Sequence, residues 1–287
     1  MLDHRVPVAF PREANDRCGG RAGDAAPSVR PGRLREPHHP PPCVETDLRA
    51  ALAARTGQTV ALTLNRFDAS GALWMLPRMQ TSKRPIRALD GHLFTFLMGT
   101  GGGAGFSTRP NLKVWTLLSA WRDGASSLAA LDAAPFAARR ERAIETMTLF
   151  LAPLSSRGAW GGHGFEPGDD PHPDGPVAAL TRASVRARAL APFWRRVPAI
   201  SDSLVAGSEA RLALGMGEVP YLHQVTFSVW DDVAAMRRFA SGPAHGEAAR
   251  RVYEHGWFSE ELFARFRVLG ATGAWNGRGA ADLAGLG

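Results

Sequence analysis

Gly158-Ala159-Trp160-Gly161-Gly162 and Gly273-Ala274-Trp275-Asn276-Gly277 are nearly one word written twice. Working back from each, the same order of signals recurs, so residues 60–162 and 177–277 read as two copies of one unit. The first opens with the strand-like Val60-Ala61-Leu62-Thr63-Leu64, passes Leu73-Trp74 and Pro77, and reaches Met98-Gly99-Thr100-Gly101. The second opens with Val177-Ala178-Ala179-Leu180-Thr181, passes Phe193-Trp194 and Pro198, and reaches Gly215-Met216-Gly217. Each continues with a proline (Pro110, Pro220), a strand closing on Trp121-Arg122-Asp123 or Trp230-Asp231-Asp232, and a helix interrupted by Pro135 or Pro243. Recurrence in one order over about a hundred residues marks duplication of a supersecondary unit.

Within each copy the order is strand, helix, strand, strand, helix, strand. In the second, residues 177–185 predict a strand and 189–197 a short helix with Leu190, Phe193, Trp194 and Val197 as its apolar positions. Residues 210–216 and 222–230 predict a hairpin-like pair around Gly217-Glu218-Val219-Pro220. Asp231 and Asp232 suit the cap of the next helix, which Ser241-Gly242-Pro243 breaks before a second helix runs to about His255. Trp257 to Leu262 is expected as a further helical turn, and Phe263 to Leu269 as the closing strand. The recurring tryptophans Trp115, Trp121, Trp194 and Trp230 are expected in the core.

This βαββαβ order is the ferredoxin-like split unit, which covers one sheet face with helices and leaves the other needing a partner. The expected fold is therefore α+β: two tandem ferredoxin-like repeats bury those faces against each other in a core of the dimeric α+β-barrel type. The expected boundaries are a disordered tail over 1–47, a first repeat over 58–162, a linker over 163–175 and a second repeat over 176–277. The tail is rich in Pro, Arg and Gly and has no hydrophobic period.

A chain of 287 residues has ample material for a buried pocket. Its net charge is +7, and since Lys83 and Lys113 are the only lysines, the cationic excess is arginine. No compact basic run occurs in the repeats, so nucleic acid is not the expected partner; an anionic membrane surface is compatible with the charge. Both cysteines, Cys18 and Cys43, precede the repeats. That leaves the folded part without a disulfide framework and excludes a P450-type cysteine ligand. No apolar run approaches the roughly 18–20 residues of a spanning helix, and Met1-Leu2-Asp3-His4-Arg5 lacks a signal-peptide core. The expected location is the cytoplasm, with transient contact at the inner membrane surface. Gly99 to Gly105 is not followed by the Lys-Ser/Thr of a phosphate loop and is expected as a turn.

The copies are most informative where they differ. His245 stands two residues after Pro243, where the first copy has Ala137 two after Pro135. In a first helical turn it shares a face with Ala249 and Val252, small neighbours that leave room for a flat cofactor. A helix N-terminus disfavours imidazolium and keeps the nitrogen available as a ligand. A histidine that merely bonds nearby backbone is the alternative. His223 opens the strand to Trp230, on a face with Val225, Phe227 and Val229, and replaces Val114 of the first copy. It is either a satisfied core histidine or a second candidate nitrogen ligand. Glu218 is either a salt-bridge partner or a pocket acid. His92, His163 and His172 fall in apparent loops, and His255 lies near a helix C-terminus, where a cation is favoured.

The run Phe193-Trp194-Arg195-Arg196-Val197-Pro198-Ala199-Ile200-Ser201, and then Gly215-Met216-Gly217-Glu218-Val219-Pro220-Tyr221-Leu222-His223-Gln224-Val225-Thr226-Phe227-Ser228-Val229-Trp230, resembles the spheroidene monooxygenase family. So do Gly256-Trp257-Phe258-Ser259-Glu260-Glu261-Leu262 and Leu64-Asn65-Arg66-Phe67-Asp68. The resemblance implies a haem-dependent oxygenase of carotenoid biosynthesis that oxidises C2 of acyclic carotenoids to 2-hydroxy and then 2-keto products. It implies molecular oxygen and reduced ferredoxin as co-substrates and a proximal histidine on iron, the role that His245 suits here. His223 or Glu218 would then deliver protons. The alternatives in the same fold are a haem-binding or haem-degrading protein, a cofactor-free monooxygenase, and a non-enzymatic haem or carotenoid carrier.

Overall fold

The computed structural model describes residues 42–102, 107, 109–168, 175–195, 197, 210–242 and 254–286. Eight strands carry the architecture: β1 (Thr59–Arg66), β2 (His92–Gly101), β3 (Pro110–Trp121), β4 (Glu145–Gly158), β5 (Val177–Val185), β6 (Leu212–Gly217), β7 (His223–Trp230) and β8 (Phe258–Trp275). Every pairing among them is antiparallel, in the order β4-β1-β3-β2-β6-β7-β5-β8, and β8 pairs back onto β4. The sheet therefore closes into a barrel of mixed α+β class and leaves no edge among these eight strands. The order β4-β1-β3-β2 of the first half recurs as β8-β5-β7-β6 in the second. Two seams join the halves. One is short, pairing Gly99 with Gly217, and the other is long, pairing Met147 with Gly273 at one end and Gly158 with Leu262 at the other.

Strand alternation sorts the side chains. Val60, Leu62 and Leu64 of β1, Leu149 of β4, Leu180 of β5, Phe227 of β7 and Phe266 of β8 point inward into one buried cluster. Outside the first half, Trp121, Phe67, Phe136 and Phe150 form a second cluster beneath helices α2 (Ala69–Met75), α3 (Arg78–Thr81), α4 (Lys83–Arg87), α5 (Gly124–Asp132) and α6 (Ala134–Arg142). Burying one such ring removes about 150–250 Å² from water, about 4–6 kcal/mol before chain entropy is counted. Trp230, Met236 and Ala235 make the smaller counterpart outside the second half, beneath α8 (Val233–Ser241).

Local signals recur in both halves. Asp123 and Asp232 each accept a backbone N–H three residues on, from Ser126 and Ala235, and so cap α5 and α8. Trp121 and Trp230 each donate their indole N–H to a serine two residues back, Ser119 and Ser228, at 2.9 Å. Of the recurring tryptophans, Trp115, Trp121 and Trp230 are buried, whereas Trp194, in α7 (Leu190–Trp194), is half-buried. Pro135 begins α6 rather than interrupting a helix, because its missing N–H costs nothing in a first turn.

Three further expectations change. The segment from Trp257 to Leu262 is not a helical turn: β8 starts at Phe258, since Leu262, Ala264, Phe266 and Val268 alternate inward while the strand bonds β4 and β5 on either side. Helix α1 (Pro42–Ala53) reaches into the stretch expected to be disordered. Leu52 at its end is buried, and a side chain at Gly270 would collide with Leu48, so α1 is seated on the barrel wall. His92 opens β2 instead of lying in a loop, and its Nε2 lies 2.8 Å from the Thr95 hydroxyl.

Candidate active site

The two ends of the second half differ. Helix α9 (Ala280–Ala284) adds Ala280, Leu283 and Ala284 to the interior cluster, and Arg211, just before β6, bonds the Asp282 carbonyl beside it. At the opposite end, where β5 and β6 finish and β7 and β8 begin, the apolar lining gives way to polar groups. Arg182 and Ser184 on β5, His223 on β7 and Glu260 on β8 take inward positions there, since Arg182 pairs in register with Val225 and Leu262, and Ser184 with His223 and Glu260.

Arg182 is the buried charge of this mouth, 3% exposed. One guanidinium nitrogen pairs with Glu260 Oε2, while its Nε is buried without a partner. Glu260 uses its other oxygen to accept the Gly161 N–H at 2.9 Å, which anchors the loop after β4. That loop places Trp160 across the mouth. Its ring stacks on Phe96 with centroids 3.8 Å apart and 4° between planes, and the Arg182 guanidinium lies 5.7 Å from its centre. The indole N–H donates to Glu218 Oε2 at 2.7 Å, and the same oxygen lies 3.9 Å from His223 Nδ1. Phe94, Phe165 and His163 extend the aromatic wall, with His163 stacked on Phe94 at 4.9 Å and Phe165 edge-on to Phe266.

An imidazole, a carboxylate fixed by an indole, and a buried guanidinium thus converge where an apolar barrel opens. The arrangement sets an imidazole within 3.9 Å of a carboxylate oxygen and buries a guanidinium, paired with Glu260, beside them. Of the residues singled out in the sequence, His223 and Glu218 are brought together. His245, Ala249 and Val252 lie outside the described residues. His255 is exposed at the end of its helix. Arg182, Glu260 and Trp160 were missed as site residues. Aligning the copies would have found Arg182, since Val60-Ala61-Leu62-Thr63-Leu64 set over Ala178-Ala179-Leu180-Thr181-Arg182 puts a charge where the first strand has leucine.

Among the described residues no group of three or more His, Cys, Asp or Glu side chains is placed to hold a bare metal ion. No protein-family profile matches the chain. In fold it is similar to an aldoxime dehydratase determined in complex with butyraldoxime, with a TM-score of 0.54 at 12% identity over 79% of this chain and 86% of that one. In sequence it is 43% identical over 224 residues to a spheroidene monooxygenase of Rhodobacter capsulatus, covering 76% of this chain and 93% of the relative. A spheroidene monooxygenase of Cereibacter sphaeroides is 39% identical over 77% of this chain and 70% of its own length, and one of Rubrivivax gelatinosus 37% identical over 77% and 86%. Identity of this degree over most of both chains shows that the protein belongs to the spheroidene monooxygenase family and is an oxygenase.

Proposed function

We propose that the protein is a carotenoid-modifying monooxygenase that oxidises C2 of an acyclic, spheroidene-like carotenoid, first to the 2-hydroxy and then to the 2-keto product, with haem as cofactor and reduced ferredoxin as electron donor. The observation that carries this is the mouth itself: His223, Glu218 and buried Arg182 gathered where an apolar barrel opens, in a chain closely related to spheroidene monooxygenases. The aromatic side chains of Phe94, Phe96, Trp160 and Phe165 at this end of the barrel support an apolar polyene as substrate.

The donor set supports haem as the cofactor. A porphyrin brings its own equatorial ligands, so one imidazole suffices, and the orphaned Nε of Arg182 suits a carboxylate of the kind a haem carries. His245 would be the ligand, with Ala249 and Val252 flanking the ring. When bound, haem supplies the activation of oxygen.

The chain's own groups do the rest. Each oxygen insertion consumes a pair of electrons, which ferredoxin supplies, and a pair of protons, one oxygen atom leaving as water. His223 would deliver protons from its ring nitrogen, and Glu218, 3.9 Å from His223 Nδ1 and held by the Trp160 indole, would recharge it. Two insertions at one carbon give a geminal diol, which loses water to the ketone. Trp160 and its loop keep bulk water from the mouth. The matching strand orders of the two halves support tandem ferredoxin-like repeats as the origin of the barrel. A substrate dissolved in a bilayer also requires transient membrane contact, and no described helix is long and apolar enough to cross a membrane.

Purified protein is expected to show a Soret band, which His245→Ala removes and His223→Ala retains with slowed turnover. Carotenoids extracted from a spheroidene-producing host expressing the chain should contain 2-keto product. Protein without a Soret band, or haem lost from His223→Ala and kept by His245→Ala, would overturn the assignment.

A further inference from the structure

Outside the barrel, the helices of the first half enclose a second concentration of positive charge. Arg139 of α6 is 3% exposed, yet among the described residues it has no carboxylate partner. One guanidinium nitrogen donates to the Pro135 carbonyl of its own helix, while Nε and Nη2 are buried without partners. Burial foremost, and then the positive charge of Arg78, pulls its pKa down to about 10, so it stays charged at neutral pH. A buried cation with a second cation as its electrostatic neighbour is costly unless an anion joins them.

The space for that anion is present. A cleft of about 290 Å³ opens between α3–α4 and α6, lined by Arg78, Arg139, Thr81, Ser82, Pro135 and Trp74. The Arg78 and Arg139 guanidinium groups and the Ser82 hydroxyl are the donors this lining offers to phosphate oxygens, since the Thr81 hydroxyl already donates to the Pro77 carbonyl and one Arg78 nitrogen to the Trp74 carbonyl. The rim is apolar and basic at once. Trp74 carries Arg78 at 3.9 Å and Arg142 at 5.0 Å from its ring centre. Its sequence neighbours Leu73 and Leu76 are 70% and 42% exposed, and Lys83, Arg84 and Arg87 follow on α4. Exposed leucines beside an interfacial tryptophan and a cationic slot match the layering of a bilayer surface, with acyl chains next to phosphates.

We propose that the cleft between α3–α4 and α6 binds the phosphate of an anionic phospholipid headgroup through Arg78 and Arg139, with Leu73 and Leu76 entering the acyl boundary. This gives the membrane contact proposed above a specific surface and orientation. The phosphate site itself stands without that reading.

The test uses the purified full chain and three variants: Arg78→Gln, Arg139→Met and the double variant Leu73→Ser/Leu76→Ser. Inorganic phosphate at about ten times its dissociation constant should raise the wild-type Tm by about 3–6 °C over chloride at equal ionic strength. Both arginine variants should lose that rise, and Arg139→Met should melt in chloride no lower than wild type, which separates a lost site from a failed fold. Co-sedimentation with vesicles containing phosphatidylglycerol should weaken at least tenfold in all three variants, and the leucine variant should keep its phosphate response. No phosphate shift in the wild type, or an unchanged shift in the arginine variants, overturns the site. A shift that depends on the arginines, with vesicle binding that does not, overturns the lipid and leaves free phosphate as the occupant. Vesicle binding equal in all four proteins keeps membrane contact but removes it from this face.

Discussion

Arg182 and Leu64 stand at matching places in the two halves of the barrel. Each lies two residues before a strand position paired with a glutamate: Arg66 opposite Glu145 in β1 and β4, Ser184 opposite Glu260 in β5 and β8. At each place an arginine and a glutamate of one half cluster with a tryptophan of the other, Trp275 with Arg66 and Trp160 with Arg182. In the first, Arg66 sits at the strand end, 3.0 Å from Glu145 and 4.6 Å from the centre of the Trp275 ring. In the second, the arginine has moved one inward position deeper and is almost wholly buried.

That displacement separates stability from function. Arg182→Leu restores the residue type of the first half and should leave stability within about 2 kcal/mol of wild type, because an apolar side chain replaces a half-satisfied buried charge. Turnover should nevertheless fall at least tenfold. Glu260→Gln, which strands the guanidinium, should cost about 3 kcal/mol in urea denaturation. Equal losses of stability in both would show that the pair serves the fold.

His223 and Glu218 are expected to work as a unit. His223→Ala should reduce the turnover number by roughly 10²- to 10⁴-fold with little change in carotenoid affinity. Trp160→Phe, which removes the hydrogen bond to Glu218 and keeps the stack on Phe96, should lower turnover by a smaller factor. Combining the two should cost little more than His223→Ala alone, as measured by product formation in a double-mutant cycle.

Gly158 and Gly273, at opposite ends of the β4–β8 seam, have φ of +87° and +84°. A Cβ at either would sit 2.1 Å from a backbone carbonyl oxygen, that of Glu261 or Thr146. Alanine at each should destabilise by about 2–5 kcal/mol, through the left-handed backbone and the collision together, and the two costs should add. Gly57→Ala is the control: its φ is +83° with nothing within 4 Å, so only the conformational cost of about 1–2 kcal/mol is expected. Thermal melts of the three variants decide between these values.

His92 gives the fold an acid-side weakness. Burial against Trp121, and then the charges of Arg87 and His163, hold its imidazole below the ordinary value of 6.5. The unfolded chain therefore takes up the proton first. Stability is full above about pH 6.5 and declines as pH falls toward the folded-state value. His92→Gln should flatten that decline in denaturant titrations between pH 7 and 5, whereas an unchanged slope would place the effect elsewhere.

The chain order of strands and helices, the aspartate cap at Asp232, and the inward face of β7 were legible in the sequence because each depends on near neighbours: alternation, and a cap three residues from its amide. The strand over 258–262 was not, since Trp257-Phe258-Ser259-Glu260-Glu261-Leu262 carries a helix-like mixture and becomes strand only by bonding β4 and β5. The start of α1 was hidden for the same reason, because Leu48 and Leu52 gain a surface to bury only against β8 and α5.

At the mouth the division is similar. His223 stood out because it can be set against Val114 at the matching position of the first half, and Glu218 because it follows the second glycine turn. That Trp160 would lie between Phe96 and Arg182, and that Glu260 would tie Arg182 to the loop at Gly161, was decided only by barrel closure. The sequence alone determined the α+β class, the repeated element order and the family resemblance, all of which rest on local period and word order. The tertiary structure alone decided which charges are buried and paired, because burial is set by strands distant in the chain that meet when the sheet closes.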